Sequence, residues 1–323
     1  MLLHSRPAAF LRSSLAAPRC SGRAGLTILI AALALSLTGC GSATKAAGPG
    51  QIAAVGAENQ YANVIQQIGG RYISVTAIMS NPNTDPHSFE ASPSVAKTVN
   101  AARLIVQNGV GYDSFMDNIE AATANSSRKV ITVQKLLGLP NSTPNPHLWY
   151  SPRTMPTVAA ALAKTLTQMQ PAHAAYFSAN LRRFDTALKP WLKAIAQFKA
   201  RYPGTTVATT EPVGDYMLQA VGTHNLTPWQ LQADIMNGVD PAAQDITLQD
   251  GLFSSHKVKV FVYNQQVTDT LTQEFKAAAA RAGIPVVGVY ETMPTGYGYQ
   301  RWMLAEVEAL QRAVADHKST EKL

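Results

Sequence analysis

From Gln51 onward the chain alternates short apolar runs with stretches whose apolar residues recur every three or four positions. Ile52–Ala57 has the length and composition of a buried strand. The residues after it place Tyr61, Val64, Ile65 and Ile68 on one helical face until Gly69 and Gly70 stop the pattern. Tyr72–Met79 is rich in β-branched residues and reads as a second strand. A helix follows, capped near Ser92 with Pro93 in its first turn. Arg103–Gly109 and Lys129–Gln134 are further strand candidates, with a helical stretch, "DSFMDNIEAATA", between them. Strands that alternate with helices predict a mostly parallel sheet.

The middle of the chain breaks this rhythm. Between Pro152 and Arg201 there is no strand signal. Thr157–Met169 is helical, and residues 172–202 then predict one helix of about 30 residues, roughly 45 Å long. Phe177, Leu181, Phe184, Leu188, Trp191, Leu192 and Ile195 supply its apolar face; Pro190 interrupts one backbone hydrogen bond without ending it. After Pro203-Gly204 the alternation resumes. Strands are expected at "TTVATT", "KVKVFVYN" and "IPVVGVY", with helices between them and a closing helix from Arg301 to His317. The fold class expected is α/β with two lobes, each a mostly parallel sheet flanked by helices. Residues 51–171 and 203–323 form the lobes, the long helix 172–202 joins them, and a cleft lies between.

Composition changes the picture mainly at the N-terminus. Of the net charge of +7, four charges are arginines in residues 1–39, a stretch without an acid. The weakly basic remainder lacks the clustered basic face that nucleic acid requires, so no nucleic-acid partner is expected. Leu26–Leu37 is an apolar run too short to span a bilayer and suited to a secretory signal. It ends in "LTGC", which resembles a bacterial lipobox. Residues 1–39 are therefore expected to be a lipoprotein signal and Cys40 the lipidated mature N-terminus. Residues 40–50 would be a flexible tether, holding a secreted protein on the outer face of the cell membrane. Cys20 is the only other cysteine, so the mature chain would have no thiolate ligand. Any metal site must use histidine and carboxylate.

Ligands in open α/β sheets bind beyond the carboxyl ends of strands. Four ionisable residues sit beyond predicted strand ends: His87 in "TDPHSF", His147 in "NPHLWY", Glu211 after "TTVATT" and Glu291 after "IPVVGVY". Two imidazoles and two carboxylates can replace the inner shell of a divalent cation. Each also has a plainer reading. A turn histidine is often just solvated, and Glu211 suits a helix N-terminus. His4, His173, His256 and His317 have no such setting; His224 in "VGTHNLTPW" is the competitor. Trp149, Tyr150, Trp229 and Tyr297 would serve a receptor for a small organic solute. A secreted metalloenzyme would keep an open metal position, but the chain has no H-E-x-x-H or G-x-S-x-G pattern.

The segments "NTDPHSFEASP", "NPHLWYSP", "HAAYFSANLRRF", "TTEPVGDYM" and "IPVVGVYET", in this order, resemble the zinc/manganese-binding receptor lipoproteins of ABC importers. The resemblance runs from about Gln51 to Gln311. It implies two lobes with a rigid connecting helix and an interlobe metal cleft. His87, His147 and Glu211 would be the first three ligands, and Glu291 the fourth, where the family usually has aspartate. The His-rich acidic loop of many zinc receptors is missing: no histidine lies between Lys97 and Asn145. The implied function is that of a non-enzymatic, monomeric receptor. It would carry one zinc or manganese ion as transported ligand to an ABC permease and its ATPase subunit. The carboxylates lean towards manganese, and the imidazoles suit zinc as well. Pro86 and Pro146 would stiffen the two histidine turns.

Overall fold

The computed structural model describes residues 47–323; the expected signal segment and Cys40 lie outside the described residues. The first lobe contains β1 (Ile52–Glu58), α1 (Asn59–Gly69), β2 (Ile73–Met79), α2 (Pro93–Ala101), β3 (Leu104–Gln107), α3 (Ser114–Ala122), β4 (Lys129–Thr132) and the short α4 (Val133–Leu136). Helices α5 (Thr154–Met169) and α6 (Ala174–Arg201) follow. The second lobe contains β5 (Thr206–Thr209), α7 (Asp215–Val221), β6 (His224–Asn225), α8 (Trp229–Met236), α9 (Ala243–Ser254), β7 (Val260–Asn264), α10 (Thr270–Arg281), β8 (Val286–Val289) and α11 (Tyr299–Asp316).

Both sheets are parallel throughout and share one strand order, β2-β1-β3-β4 in the first lobe and β6-β5-β7-β8 in the second. This is the expected α/β class, because every crossover carries helical or turn material that covers a sheet face. Gly56 is needed in β1: a Cβ there would lie 2.3 Å from the backbone nitrogen of Ala62, so α1 packs directly on the strand.

Helix α6 is continuous through Pro190 and packs on α1, α5, α7 and α11. Phe177, Phe184, Leu188, Trp191, Ile195 and Phe198 are its buried apolar residues. Leu192, expected on that face, is 41% exposed. It follows Trp191 by one residue, about 100° around the helix, and falls outside the stripe. Two further differences have local causes. The strand expected over Lys129–Gln134 ends at Thr132, and Val133 already begins a helical turn. The segment from His224 to Met236, left without elements above, holds β6 and α8. A two-residue strand and a helix entered from Pro228 leave too little periodicity to read.

The lobes meet over a wide polar seam, with one apolar cluster running beneath it from α1 and α5 through α6 to α11. Asn59 and the backbone of Met293 exchange two hydrogen bonds of 2.8 and 2.9 Å. Gln67 and Gln300 do the same at 3.0 and 2.8 Å. The hydroxyls of Tyr150 and Tyr299 donate to the carbonyls of Tyr290 and Trp149. No helix among the described residues is long and apolar enough to cross a membrane.

Candidate metal centre

The site lies where the carboxyl ends of both sheets face one another. His87 sits in a single 3-10 turn, Pro86–Ser88, capped by Asp85, whose Oδ1 accepts the His87 backbone N–H at 2.8 Å. That loop is tied to the second lobe by Gln266, whose Nε2 donates to the Thr84 carbonyl at 2.6 Å. The same Gln266 accepts the backbone N–H groups of Glu291 and Thr292 at 2.7 and 2.8 Å. One side chain therefore holds a candidate donor loop from each lobe. The backbone of His87 is exposed, whereas its imidazole is only 21% exposed.

His147 is fully buried. Asn145, two residues earlier, accepts from its backbone N–H at 2.9 Å and lies 2.8 Å from its ring Nδ1. The Asn145 amide is oriented by its other end, where Nδ2 donates to the Pro212 carbonyl at 2.7 Å. The oxygen thus faces His147, so Nδ1 carries the hydrogen and Nε2 presents a lone pair.

Nε2 of His87 and Nε2 of His147 each lie 3.1 Å from Glu291 Oε2. One donor atom from each of these three residues falls within 4.8 Å of the others. Glu211 is not in this set. It stands beside it: Asn264, the last residue of β7, donates from Nδ2 to Glu211 Oε1 at 3.1 Å and to Glu291 Oε1 at 2.8 Å. Glu211 Oε2 is buried and has no hydrogen-bond partner. The Tyr112 hydroxyl donates to Glu291 Oε2 at 2.9 Å.

Burial pushes the pKa of Glu211 well above its ordinary value, and the nearby Glu291 charge adds to this. Burial alone would raise Glu291 too, but the close approach of the His147 and His87 rings outweighs it and holds its carboxylate well below the usual range. His87 is raised: burial opposes its charged form, and contact with Glu291 overcomes that. His147 is lowered by burial, against the pull of Glu291. The result is an anionic Glu291 facing an imidazole lone pair at His147, beside a carboxyl oxygen that nothing satisfies. Two acceptors at 3.1 Å need a proton or a cation between them, and nitrogen with carboxylate oxygen is a donor set for a divalent transition ion.

Among the described residues, the other histidines have structural roles or none near this site. His173 stacks on Tyr72 with ring centroids 3.7 Å apart. His256 and His317 adopt left-handed backbone conformations at helix ends. His224 is exposed on β6. Trp149 and Tyr150 are completely buried and line no cleft. Sequence reasoning missed Tyr112, Asn145, Asn264 and Gln266. Asn264 stands at a strand end just as Glu211 does; a search limited to ionisable groups passes over it.

Among solved structures, the periplasmic zinc-binding protein TroA from Treponema pallidum superposes with a TM-score of 0.69 at 16% identity, covering 83% of this chain and 100% of that one. Among curated proteins, the manganese-binding lipoprotein MntA of Bacillus subtilis is 26% identical over 175 residues, which is 52% of this chain and 56% of MntA. The manganese ABC transporter substrate-binding lipoprotein PsaA of Streptococcus anginosus is 23% identical over 224 residues, 64% of this chain and 72% of PsaA. The chain thus spans little more than half the length of relatives such as MntA. The model of the family described as zinc-uptake complex component A, periplasmic (ZnuA) matches residues 55–313, and the chain belongs to that family.

Proposed function

We propose that the chain is the extracytoplasmic receptor of an ABC importer, a non-enzymatic protein whose cargo is one zinc or manganese ion. His87, His147 and Glu291 would bind the ion from above the two sheets, and Glu211 would complete the set once its proton leaves. The observation that carries this reading is the opposed pair of acceptors, His147 Nε2 and Glu291 Oε2, with the unpartnered Glu211 Oε2 beside them. Four protein donors leave no position for a reactive water, which favours a carrier over a hydrolase.

The imidazole of His87 is the one candidate donor side chain with solvent access, so the ion would enter past it. The buried His147 and Glu291 would receive the ion in a site whose tautomer and carboxylate orientation are already set. Delivery would be to a membrane permease with its ATPase subunit. The receptor would be a monomer held at the outer face of the membrane by lipid on Cys40.

The test is metal stoichiometry on the chain lacking residues 1–40, stripped and reloaded with zinc and manganese. One tightly held ion per chain is expected, and it should be lost in His147→Ala and in Glu291→Ala. Failure of the unaltered chain to retain any ion would end the reading.

A further inference from the structure

Resting on that reading, we propose that Asn264 limits each site carboxylate to a single metal-binding oxygen and so biases the site towards a four-coordinate ion, zinc over manganese. Asn264 is fully buried. Its backbone N–H donates to Thr210 Oγ1 at 3.0 Å, and its side-chain oxygen accepts the backbone N–H of Gln266, also at 3.0 Å. The second of these bonds fixes which end of the amide is nitrogen, and the first holds the backbone that carries it. The Nδ2 group then spends its two hydrogens on the two carboxylates, one on Glu211 Oε1 and one on Glu291 Oε1.

The consequence is an unequal use of the oxygens. Both Oε1 atoms are engaged by the same amide. Glu291 Oε2 is the atom that faces the two imidazoles, and Glu211 Oε2 is the atom left without a partner. For either carboxylate to bind through both oxygens, its Oε1 would have to leave Asn264 and strand a buried N–H. That loss is unfavourable by roughly the cost of a buried unpaired donor. One oxygen from each carboxylate and one nitrogen from each imidazole make four donors, which suits tetrahedral zinc. Manganese favours a larger, oxygen-rich shell. The carboxylate content of the site leans towards manganese by hardness, and Asn264 opposes that lean through geometry.

The experiment loads the chain lacking residues 1–40 with cobalt(II) as a spectroscopic stand-in and compares it with Asn264→Ala. Zinc and manganese affinities of both are measured by competition. The unaltered chain should show the intense visible bands of four-coordinate cobalt. Asn264→Ala should show the weaker bands of a higher coordination number, with a zinc-to-manganese affinity ratio lower by about tenfold or more. A merely structural role for Asn264 would lower both affinities together and leave the ratio and the bands alone, which overturns the proposal. So do weak bands in the unaltered chain, a measurement that needs no variant to fold. If the unaltered chain holds none of the three metals, the receptor reading fails and this inference goes with it. Tight binding without the expected bands removes Asn264's role alone.

Discussion

His147 shows how a side chain two residues away decides what an imidazole can do. Because Asn145 takes the Nδ1 hydrogen, Nε2 is left as an acceptor 3.1 Å from another acceptor on Glu291. Asn145→Ala frees the ring to adopt the other tautomer, and metal affinity should fall by about 10- to 100-fold. Competition titration against a chelator of known strength would show it; an unchanged affinity would mean that the tautomer is set elsewhere. Glu211 makes a second prediction. Burial, then the Glu291 charge, raises its pKa well above 4.5, and contact with Glu291 raises His87 above 6.5 despite burial. Both groups bind protons that an ion must displace, so affinity should rise with pH across the neutral range. Calorimetry in buffers of different ionisation enthalpy should find about one proton or more released per ion. No proton release at pH 7 would contradict a protonated Glu211. The charged candidates at this scale were legible because each stands beyond a strand end, two of them behind a proline. Asn145, Asn264 and Tyr112 were not, since neutral polar residues at loop and strand ends carry no charge signal and gain their meaning only from the partners they meet in the folded chain.

At the scale of elements, the long helix was readable because its apolar residues hold one face for seven turns or so. The register within that face was less so, as Leu192 shows. Its neighbour Pro190 is exposed and lies in the middle of α6. Proline has no N–H to offer the Thr186 carbonyl and crowds it as well. Pro190→Ala should therefore stabilise the chain by about 1–2 kcal/mol, the restored bond being partly offset by a more flexible unfolded chain. Metal affinity should be unchanged, because α6 contributes no candidate donor. Denaturant titration of the metal-free protein would decide; a loss of stability would show that the local geometry needs proline. The strand β6 marks the opposite limit of legibility. Its pairing with β5 covers Thr206–His224 and Val207–Asn225 alone, and tertiary contacts rather than periodicity fix it. Asn225 donates to Thr209, Asp215 and Gln232, while Thr227 bonds to Thr209 and Gln249. Such a polar network leaves no hydrophobic pattern to read.

At the scale of the whole molecule, the reciprocal Asn59–Met293 and Gln67–Gln300 bonds, together with α6 and α11, resist a wide opening of the lobes. Solution scattering with and without bound ion should give nearly superimposable profiles. The same dense packing has buried an unusual set of acids, and this sets how stability responds to pH. Burial raises Glu306 to about 8 despite hydrogen bonds from Trp302 and Tyr150. It raises Asp215 to about 6, and Asp113 likewise. Glu58 is raised well above its ordinary value by burial and by the facing Asp113. Each of these binds a proton in the folded chain at a pH where the unfolded chain has lost it. Their stabilisation is complete below the unfolded value near 4.5, or 3.8 for the aspartates, and disappears as pH rises through the folded value. Glu291 and His147 shift the other way, but their windows lie below 4.5 and 6.5. Asp215 and Asp113 have lost most of their protons by pH 6.5, so between about pH 6.5 and 8.5 Glu306 carries the slope, its excess proton weakening the fold by up to about 1.4 kcal/mol per pH unit. The metal-free chain should therefore melt at a lower temperature at pH 8.5 than at pH 6.5. Glu306→Gln keeps an acceptor for Trp302 while removing the titration, so it should flatten this slope. Bound metal reverses the trend, because it replaces protons at Glu211 and binds more tightly as they leave. A metal-free chain that is more stable at pH 8.5, or a Glu306→Gln profile identical to the parent, would show that these acids are already ionised in the folded protein.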